Sequence, residues 1–515
     1  MDNPLAARDI ARFERAERKR DKWKDDWEDC YDLGFPNRDS FYSETPGENR
    51  TDDIYDDTVI GALQDFSGMM TDGIFGGQFV RIEPGFLAAG IDPKKKLELQ
   101  QLLDAQIRDL VGYVRNTNFD LSADETALDL AIGTGAQIVR PTQDAEFLDA
   151  EAVPLHELTL DRGPKGHIDG VFRCREIEVD HIKQIWPDAN LASDGQSREM
   201  NGEPAKCVVL EACYRDWSKA EEVYLYHVIN KKAKHMMFAT QFEGMGSKPW
   251  ITPRWSAASG EIYGRGPLVN SLNSVRGINL LKRLLFENAD MEIGGVWSIE
   301  NDGMVNVDTI VIDSGMVIPH MPGSNGLRKI QSNSNFDLSQ FIMEDEKATI
   351  RRALYVEDYQ GRGTTPISAE ETATRRMMMS KRLGGPMTRL FREWVTPHIR
   401  RMLYLGKRAG IIDLPRLDGR EISLVATSPL ARAGLYEEVQ QKAMAMQMAA
   451  GILGEGVAQV IDLKAVTKDI FVMLEQPLSY IIEQAQEDPA GMAAELIQSG
   501  MASGQQGGQV VSLGG

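Results

Sequence analysis

The chain of 515 residues has little of what secreted, redox-active or metal-dependent proteins require. It has four cysteines and no C-x-x-C pair, so we expect reduced thiols rather than a disulfide framework. Its seven histidines are scattered outside any H-E-x-x-H pattern, which argues against a dedicated metal site. There is no run of eighteen apolar residues and no apolar h-region after Met1–Pro4. Neither a transmembrane helix nor a secretory signal is therefore predicted.

Motifs for nucleotide binding and nucleophilic catalysis are missing as well. The glycine pairs at 133–135 and 361–363 belong neither to a Walker motif nor to a complete G-x-G-x-x-G after a strand. No G-x-S-x-G nucleophile elbow occurs. The sequence thus predicts a protein that is not an enzyme and that needs no cofactor.

Positive charge is in deficit, with 77 acidic residues against 57 basic ones and a net charge of −20. Proteins that grip duplex DNA normally present a basic face, so tight duplex binding is not expected. An acidic wall could still keep a moving duplex from sticking, over a screening length of roughly 8–10 Å. The other interpretation is that the acidity only keeps the protein soluble.

Apolar periodicity predicts an α+β region in the first half of the chain. The predicted helices cover 5–33, 56–75, 94–116 and 120–132. The predicted strands form a strand–turn–strand unit within 155–172 and a meander over 207–214, 223–229 and 235–242. Acidic pairs at 52–53 and 56–57 could bind a cation or could form a solvated helix start favoured by the helix dipole.

The most informative stretch is the sequence EIYGRGP at 261–267. Its glycines allow a sharp turn, and Pro267 suits the first turn of a helix, where a missing N–H costs nothing. Apolar residues then recur every three or four positions, which predicts a helix of about 40 Å over 266–291. Short predicted strands at 296–299, 309–312 and 315–319 follow, and then a second helix over 337–356.

The segment 370–408 is strongly basic, with ten basic residues against three acidic ones. Its helix is predicted to begin with a capping box formed by Ser368 and Glu371, and to bend or break at 384–386 and at Pro397. Three interpretations stay open for its cations. They approach DNA, they pair with acidic residues of a neighbouring subunit, or they form a solvated face. The candidates for a DNA contact are Arg375, Arg376, Lys381 and Arg382.

Five motifs follow one another along the chain. They are YDDT at 55–58, EIYGRGP at 261–267, ETAT at 371–374, LGGP at 383–386 with Arg389, Leu390 and Glu393, and SPLARA at 428–433. In this order they resemble the motifs of the portal, or head-to-tail connector, proteins of short-tailed bacteriophages. Each motif is weak alone, and their shared order carries the resemblance. It implies a mostly helical α+β portal fold with a wing, a helical stem, a small β-containing clip and a C-terminal helical crown or barrel.

The resemblance also implies how the chain is divided. The implied parts are an N-terminal helix at 1–36, a wing at 37–265, a first stem helix at 266–292, a clip at 293–332, a second stem helix at 333–356, a channel loop at 357–369, a long helix and return strand of the wing at 370–434, a crown or barrel at 435–502 and a disordered tail at 503–515.

A portal of this kind would be a ring, usually of twelve subunits, at one capsid vertex of the virion, assembled in the host cytoplasm. Double-stranded DNA would pass through its channel during packaging and ejection, and Arg362 in the channel loop is our candidate for touching it. The implied partners are the large terminase subunit, the tail adaptor protein, the major capsid protein and scaffold or internal core proteins. The clip residues expected to face the motor and the adaptor are Trp297, Asp302, Asp308 and Asp313.

Two other functions remain open at this stage. One is a different phage ring, adaptor or scaffold-type protein without channel function, which would lack the helix–clip–helix arrangement. The other, more remote, is an α+β enzyme, which a closed catalytic pocket would support.

Overall fold

The computed structural model describes residues 4–42, 50–77, 79–84, 93–142, 148–191, 199–200, 203–294, 296–299, 327–330, 336–356, 382–412, 422–426, 439, 441–449, 451, 462, 466–467 and 470–471. The chain divides into two compact units. The larger unit comprises Met1–Thr71, Ile82–Gly363 and Gly385–Leu424, and the smaller comprises Asp72–Arg81, Thr364–Gly384 and Val425–Gly515.

The helices are α1 Pro4–Arg20, α2 Lys24–Gly34, α3 Thr58–Phe75, α4 Pro93–Arg115, α5 Phe119–Ile132, α6 Val179–Ile185, α7 Pro267–Gly294, α8 Phe336–Ala353 and α9 Thr396–Arg408. The bounds of α3, α4, α5, α7 and α8 agree with the predicted bounds to within two or three residues, whereas α6 was not predicted. A 3₁₀ turn at Asp21–Trp23 divides the predicted N-terminal helix into α1 and α2. Among the described residues, no helix is long and apolar enough to cross a membrane.

The strands form five sheets among the described residues, and in four of these sheets every pairing is antiparallel by its register. The strands are β1 Val80–Pro84, β2 Gln137–Pro141, β3 Leu148–Ala152, β4 Leu158–Arg162, β5 Ile168–Glu178, β6 Glu199–Met200, β7 Glu203–Pro204, β8 Lys206–Arg215, β9 Val223–Asn230, β10 His235–Glu243, β11 Trp250–Ile251, β12 Val296–Ile299, β13 Leu327–Ile330 and β14 Ile422–Ala426. The orders are β10-β9-β8-β5-β4, β11-β2-β3, β12-β13, β6-β7 and β1-β14.

The five-stranded sheet contains the predicted meander, which is confirmed by the antiparallel pairing of β8 with β9 and of β9 with β10. Helix α1 packs on this sheet because Ala6, Ile10 and Phe13 recur at helical spacing and fill one face. They meet the buried side chains of Phe172 and Leu210. Burying a side chain the size of Phe13 contributes about 1.5–3 kcal/mol.

Buried polar groups fix the position of α1 on the sheet. The Asp9 carboxylate, which is fully buried, lies 2.6 Å from Nδ1 of His227 and accepts a hydrogen bond of 2.8 Å from the Tyr214 hydroxyl. Arg8 donates to that same hydroxyl at 2.9 Å. The N-terminal helix is therefore built into the core of the sheet rather than lying loosely on it.

The β12–β13 hairpin follows α7 and precedes α8. Its register pairs Val296 with Ile330 and Ile299 with Leu327. The predicted strand at 296–299 is confirmed, but its partner Leu327–Ile330 was not predicted. The predicted strands at 309–312 and 315–319 lie outside the described residues.

The helical segment 382–408 was predicted to bend or break at two places. Residues 384–386 are helical without a break, and a bend there stays a prediction. Near Pro397 the structure has a π-helical turn at Phe391–Val395, just before Pro397 in the first turn of α9. Proline has no N–H to donate back into the helix, and a widened turn accommodates that loss.

Candidate functional site at the start of the long helix pair

The motif at 261–267 lies in a dense aromatic cluster. The Tyr263 ring is 1% exposed, and its centroid lies 5.0 Å from that of Trp27 in an edge-on arrangement. Its hydroxyl accepts a hydrogen bond of 2.9 Å from the N–H of Leu160 in β4, and burial raises the pKa of Tyr263. Arg265 lies 4.6 Å above the Trp23 ring. Trp23 and Trp27, which lie within the predicted N-terminal helix, thus pack against the residues that precede α7.

The glycines of this motif form a backbone interlock with the end of α5. Gly264 donates its N–H to Oγ1 of Thr134 at 2.8 Å, and Gly266 donates to the carbonyl of Ile132, also at 2.8 Å. A Cβ atom on Gly264 would collide with the Gly133 carbonyl, and one on Gly266 would collide with the backbone of Ala131 and Ile132. Gly133 itself has φ of +144°, which other residues rarely adopt. The sequence pattern predicted a turn here, and the structure adds direct backbone contact as the reason for glycine.

An ion pair closes the other side of the interlock. Arg254 donates to both carboxylate oxygens of Glu393, at 2.9 Å from Nε and 2.6 Å from Nη2, and its Nη1 donates to the Ile262 carbonyl at 3.0 Å. Arg389 lies 3.5 Å from Glu393 and donates to the Ala257 carbonyl at 3.4 Å. Two motifs far apart in sequence, at 261–267 and 389–393, therefore meet at the start of α7.

The YDDT motif joins the same region from the N-terminal side. Asp56 accepts the N–H of Thr58 at 3.0 Å and binds the ammonium groups of Lys282 on α7 and Lys347 on α8, at 3.2 and 3.3 Å. Burial alone would raise the pKa of Asp56, but hydrogen bonds from Thr58 and Lys282 and the charge of Lys347 hold the pKa below its ordinary value. Asp56 is 4% exposed, so the interpretation of this acidic pair as a solvated helix start is wrong for Asp56. One carboxylate instead ties both long helices to the start of α3.

The two halves of α7 differ in exposure. Near its start the apolar residues are buried: Leu268 is 1% exposed, Leu272 4% and Ile278 2%. Further along, and on the facing helix α8, large apolar side chains lie in the open. They are Leu280, Leu284 and Phe286 on α7 and Phe341 and Ile342 on α8, all more than 40% exposed.

The predicted site residues are only partly within the described chain. Arg382 starts the helical segment 382–390 and is exposed. Trp297 lies in β12, where its backbone pairs with that of Lys329. The residues outside the described part are Arg362, Arg375, Arg376, Lys381, Asp302, Asp308 and Asp313. The channel and clip roles of all these residues stay predictions.

The basic segment has a role that sequence reasoning missed. Arg401 is buried and donates to the carbonyls of Val139 and Ser247, at 3.0 and 2.7 Å. It therefore anchors α9 to β2 and to the turn that contains Ser247. Arg389 is likewise used within the chain. Arg254 was missed because its partner Glu393 is 139 positions away, and no local pattern reports such a pair.

The described residues contain no group of three or more His, Cys, Asp or Glu side chains suited to hold a metal. The family model of the bacteriophage head to tail connecting protein matches residues 7–482, and the chain belongs to this family. It is thus a phage portal, or head-to-tail connector, and the resemblance read from the five motifs is confirmed.

A curated relative and two solved structures are similar to this chain. The probable portal protein of Bordetella phage BPP-1 is 22% identical over 443 residues, covering 82% of this chain and 79% of that protein. A chain from the virion of a native gene transfer agent particle is 11% identical with a TM-score of 0.36, covering 82% of this chain and 94% of that one. A chain from the neck of an empty particle of the same kind is 12% identical with a TM-score of 0.35, at the same coverages.

Proposed function

We propose that copies of this connector form a ring at one capsid vertex and that double-stranded DNA passes through the ring during packaging and ejection. The observation that supports this is the exposed apolar surface of α7 and α8 in a chain that belongs to the head-to-tail connecting family. In this proposal the ring has twelve subunits, is part of the virion after assembly in the host cytoplasm, and acts structurally without catalysing a reaction.

The exposed apolar surface favours coverage by a second copy. Phe341 is 70% exposed, Leu280 57% and Leu284 44%. They lie on α7 and α8, which the ion pairs of Asp56 hold to the start of α3. Large apolar side chains grouped in this way mark interaction surfaces. Covering the exposed part of each one contributes about 0.7–2 kcal/mol, so several per subunit favour assembly. In a ring every subunit would present the same two helices to its neighbours.

The remaining partners follow from the portal identity and stay proposals. The clip at 293–332 would bind the large terminase subunit during packaging and the tail adaptor protein later. The wing would contact the major capsid protein, and the C-terminal region would face scaffold or internal core proteins. Arg362, Arg375, Arg376, Lys381 and Arg382 are the proposed DNA-channel residues, and Trp297, Asp302, Asp308 and Asp313 the proposed clip contacts.

The first test is the mass of the purified protein by native mass spectrometry, together with class averages from electron microscopy. We expect a ring of about twelve chains with a central hole wide enough for a duplex. A chain that stays monomeric at every protein and salt concentration, even with its capsid and motor partners present, would contradict the proposal. A closed ring without a hole would favour the alternative, an adaptor or scaffold-type protein without channel function.

A further inference from the structure

A cation-lined cleft in the larger unit borders the ion pair of Arg254 with Glu393. It has a volume of about 470 Å³ and lies between the turn at 246–252 and the residues around the start of α9. Its lining includes Lys248, Arg392 and Arg400, together with Tyr224 and Trp250. All of these residues belong to the larger unit.

The charge of this cleft is not balanced within the described chain. Arg254, a fourth cation of the lining, is engaged by both oxygens of Glu393. Among the described residues, Lys248, Arg392 and Arg400 have no ion-pair partner, and the only other carboxylate of the lining is Glu222. Arg392 and Arg400 are exposed and Lys248 is half-buried. The cleft thus carries an excess of positive charge, whereas the chain as a whole has a net charge of −20.

The cleft is held in shape by its surroundings. Arg401 binds the Ser247 carbonyl at 2.7 Å, which fixes the backbone next to Lys248. Gly246, with φ of +78°, lies so close to the Arg400 carbonyl that a Cβ atom would not fit. Contacts within the chain therefore hold the backbone that carries Lys248 and Arg400 in place before any ligand binds.

Lys248 lacks an interaction that an anion would supply. It lines the cleft and is half-buried, and no ion-pair partner for it lies among the described residues. Burial lowers the pKa of Lys248, so its charged form would also gain from a nearby anion.

We propose that this cleft receives carboxylate side chains from a second copy of this chain. The inference rests on the proposed ring. Since the chain carries 77 acidic residues, a neighbouring subunit presents carboxylates on much of its surface. Copies of such net charge repel each other unless local cations accept those carboxylates, and charge-assisted hydrogen bonds are the strong form of that contact.

Charge removal in the full-length chain tests the inference. The double variant Lys248→Gln with Arg392→Gln removes two cations from the cleft, and Arg400→Gln tests it from α9. The control is Arg108→Gln with Lys183→Gln, two exposed cations outside the cleft. We expect at least a tenfold rise in the protein concentration for half-assembly at 50 mM salt for the cleft variants only. The difference should shrink at 500 mM salt, and melting temperatures should match the wild type.

Zero-length crosslinking gives a direct second readout. A carbodiimide takes up the water released when an amine and a carboxylate in contact form an amide. Rings assembled from light and heavy isotope-labelled chains should yield mixed-label peptides that join Lys248 to an Asp or Glu.

The outcomes separate the two proposals. If the wild type forms rings and the cleft variants assemble as the control does, without mixed-label crosslinks, the cleft inference is wrong while the ring stands. If the variants assemble normally but lose binding of a labelled 20-base-pair duplex, the occupant is nucleic acid and the inference is overturned. A wild type that never forms a ring contradicts both.

Discussion

The first half of α7 buries its apolar residues, whereas the second half carries additional apolar residues on an exposed face. Leu272 and Ile278 are 4% and 2% exposed, whereas Leu280 and Leu284 are 57% and 44% exposed. At the start of the helix, the backbone of Gly266 bonds to the end of α5, and the ion pair of Arg254 with Glu393 holds the loop that precedes the helix. Beyond Ile278 the described chain leaves Leu280, Leu284 and Phe286 exposed, while Leu281 and Leu285 are half-buried. In the proposed ring, the base of the helix would serve the folding of one chain and the exposed residues would serve contact between chains.

The largest expected effect is at the glycine interlock. In Gly266→Ala the new Cβ would collide with the backbone of Ala131 and Ile132, which cannot move without disturbing the end of α5. We expect a loss of at least about 4–5 kcal/mol of unfolding free energy, a large part of what a domain has. Chemical denaturation of the monomeric chain measures it.

Gly277→Ala is the matched control on the same helix. Gly277 has open space where a Cβ would be placed, and alanine is the better helix former. The substitution should stabilise the chain by about 0.5–1 kcal/mol. If both alanines are tolerated alike, backbone contact is not what holds the base.

The next effect is at the ion pair of Arg254 with Glu393. Glu393→Gln leaves the Arg254 guanidinium, which is 8% exposed, without its charged partner. Breaking a buried pair in this way costs about 3 kcal/mol or more. Glu261→Gln breaks the more exposed pair with Arg265 on the same loop and should cost at most about 0.5–1 kcal/mol. A double-mutant cycle with Arg254→Met should be strongly non-additive, and additive values would show that the pair does not act as a unit.

These two sites show how far sequence reasoning reaches. Helix bounds, the meander and the importance of 261–267 could be predicted because they depend on local periodicity and turn chemistry. The interlock of Gly264 and Gly266 with 131–134 could not, because a glycine needed for a turn and a glycine needed for close approach look the same in sequence. Nor could the burial of Asp56, since its partners Lys282 and Lys347 are more than 200 positions away. The motif order indicated the family, while the contacts that give each motif its purpose needed the fold.

A smaller effect is expected in the pH dependence of the unfolding free energy, and it should come from His398. His398 on α9 is fully buried against Gln137, and burial lowers its pKa from 6.5 to about 3. The unfolded chain therefore binds a proton first. The contribution of neutral His398 to stability is complete above pH 6.5 and is lost as the pH falls toward 3. Between pH 6.5 and 5.0 the loss amounts to about 2 kcal/mol.

Unfolding experiments at pH 7.0, 6.0 and 5.0 check this, with His398→Gln as the comparison. The variant is expected to be less stable at pH 7 but to lose less stability on acidification, so the slopes are compared and not the absolute values. Parallel slopes for the two proteins would mean that the pKa of His398 is not lowered in the folded chain.

The smallest effect on stability is expected in the exposed half of the helix pair, and it sharpens the comparison most. Leu284→Ser and Phe341→Ser replace side chains that are 44% and 70% exposed, so the unfolding free energy of the monomeric chain should change by less than about 0.5 kcal/mol. Leu272→Ser, at the buried end of the same helix, should cost several kcal/mol. Ring formation, measured by native mass spectrometry on the variants that fold, should be reduced more by Leu284→Ser and Phe341→Ser than by Leu272→Ser. Of these three side chains, only Leu284 and Phe341 lie where a neighbouring copy would pack. If Leu284→Ser and Phe341→Ser assemble as well as the wild type, the open apolar surface serves another partner, and the ring must be held elsewhere.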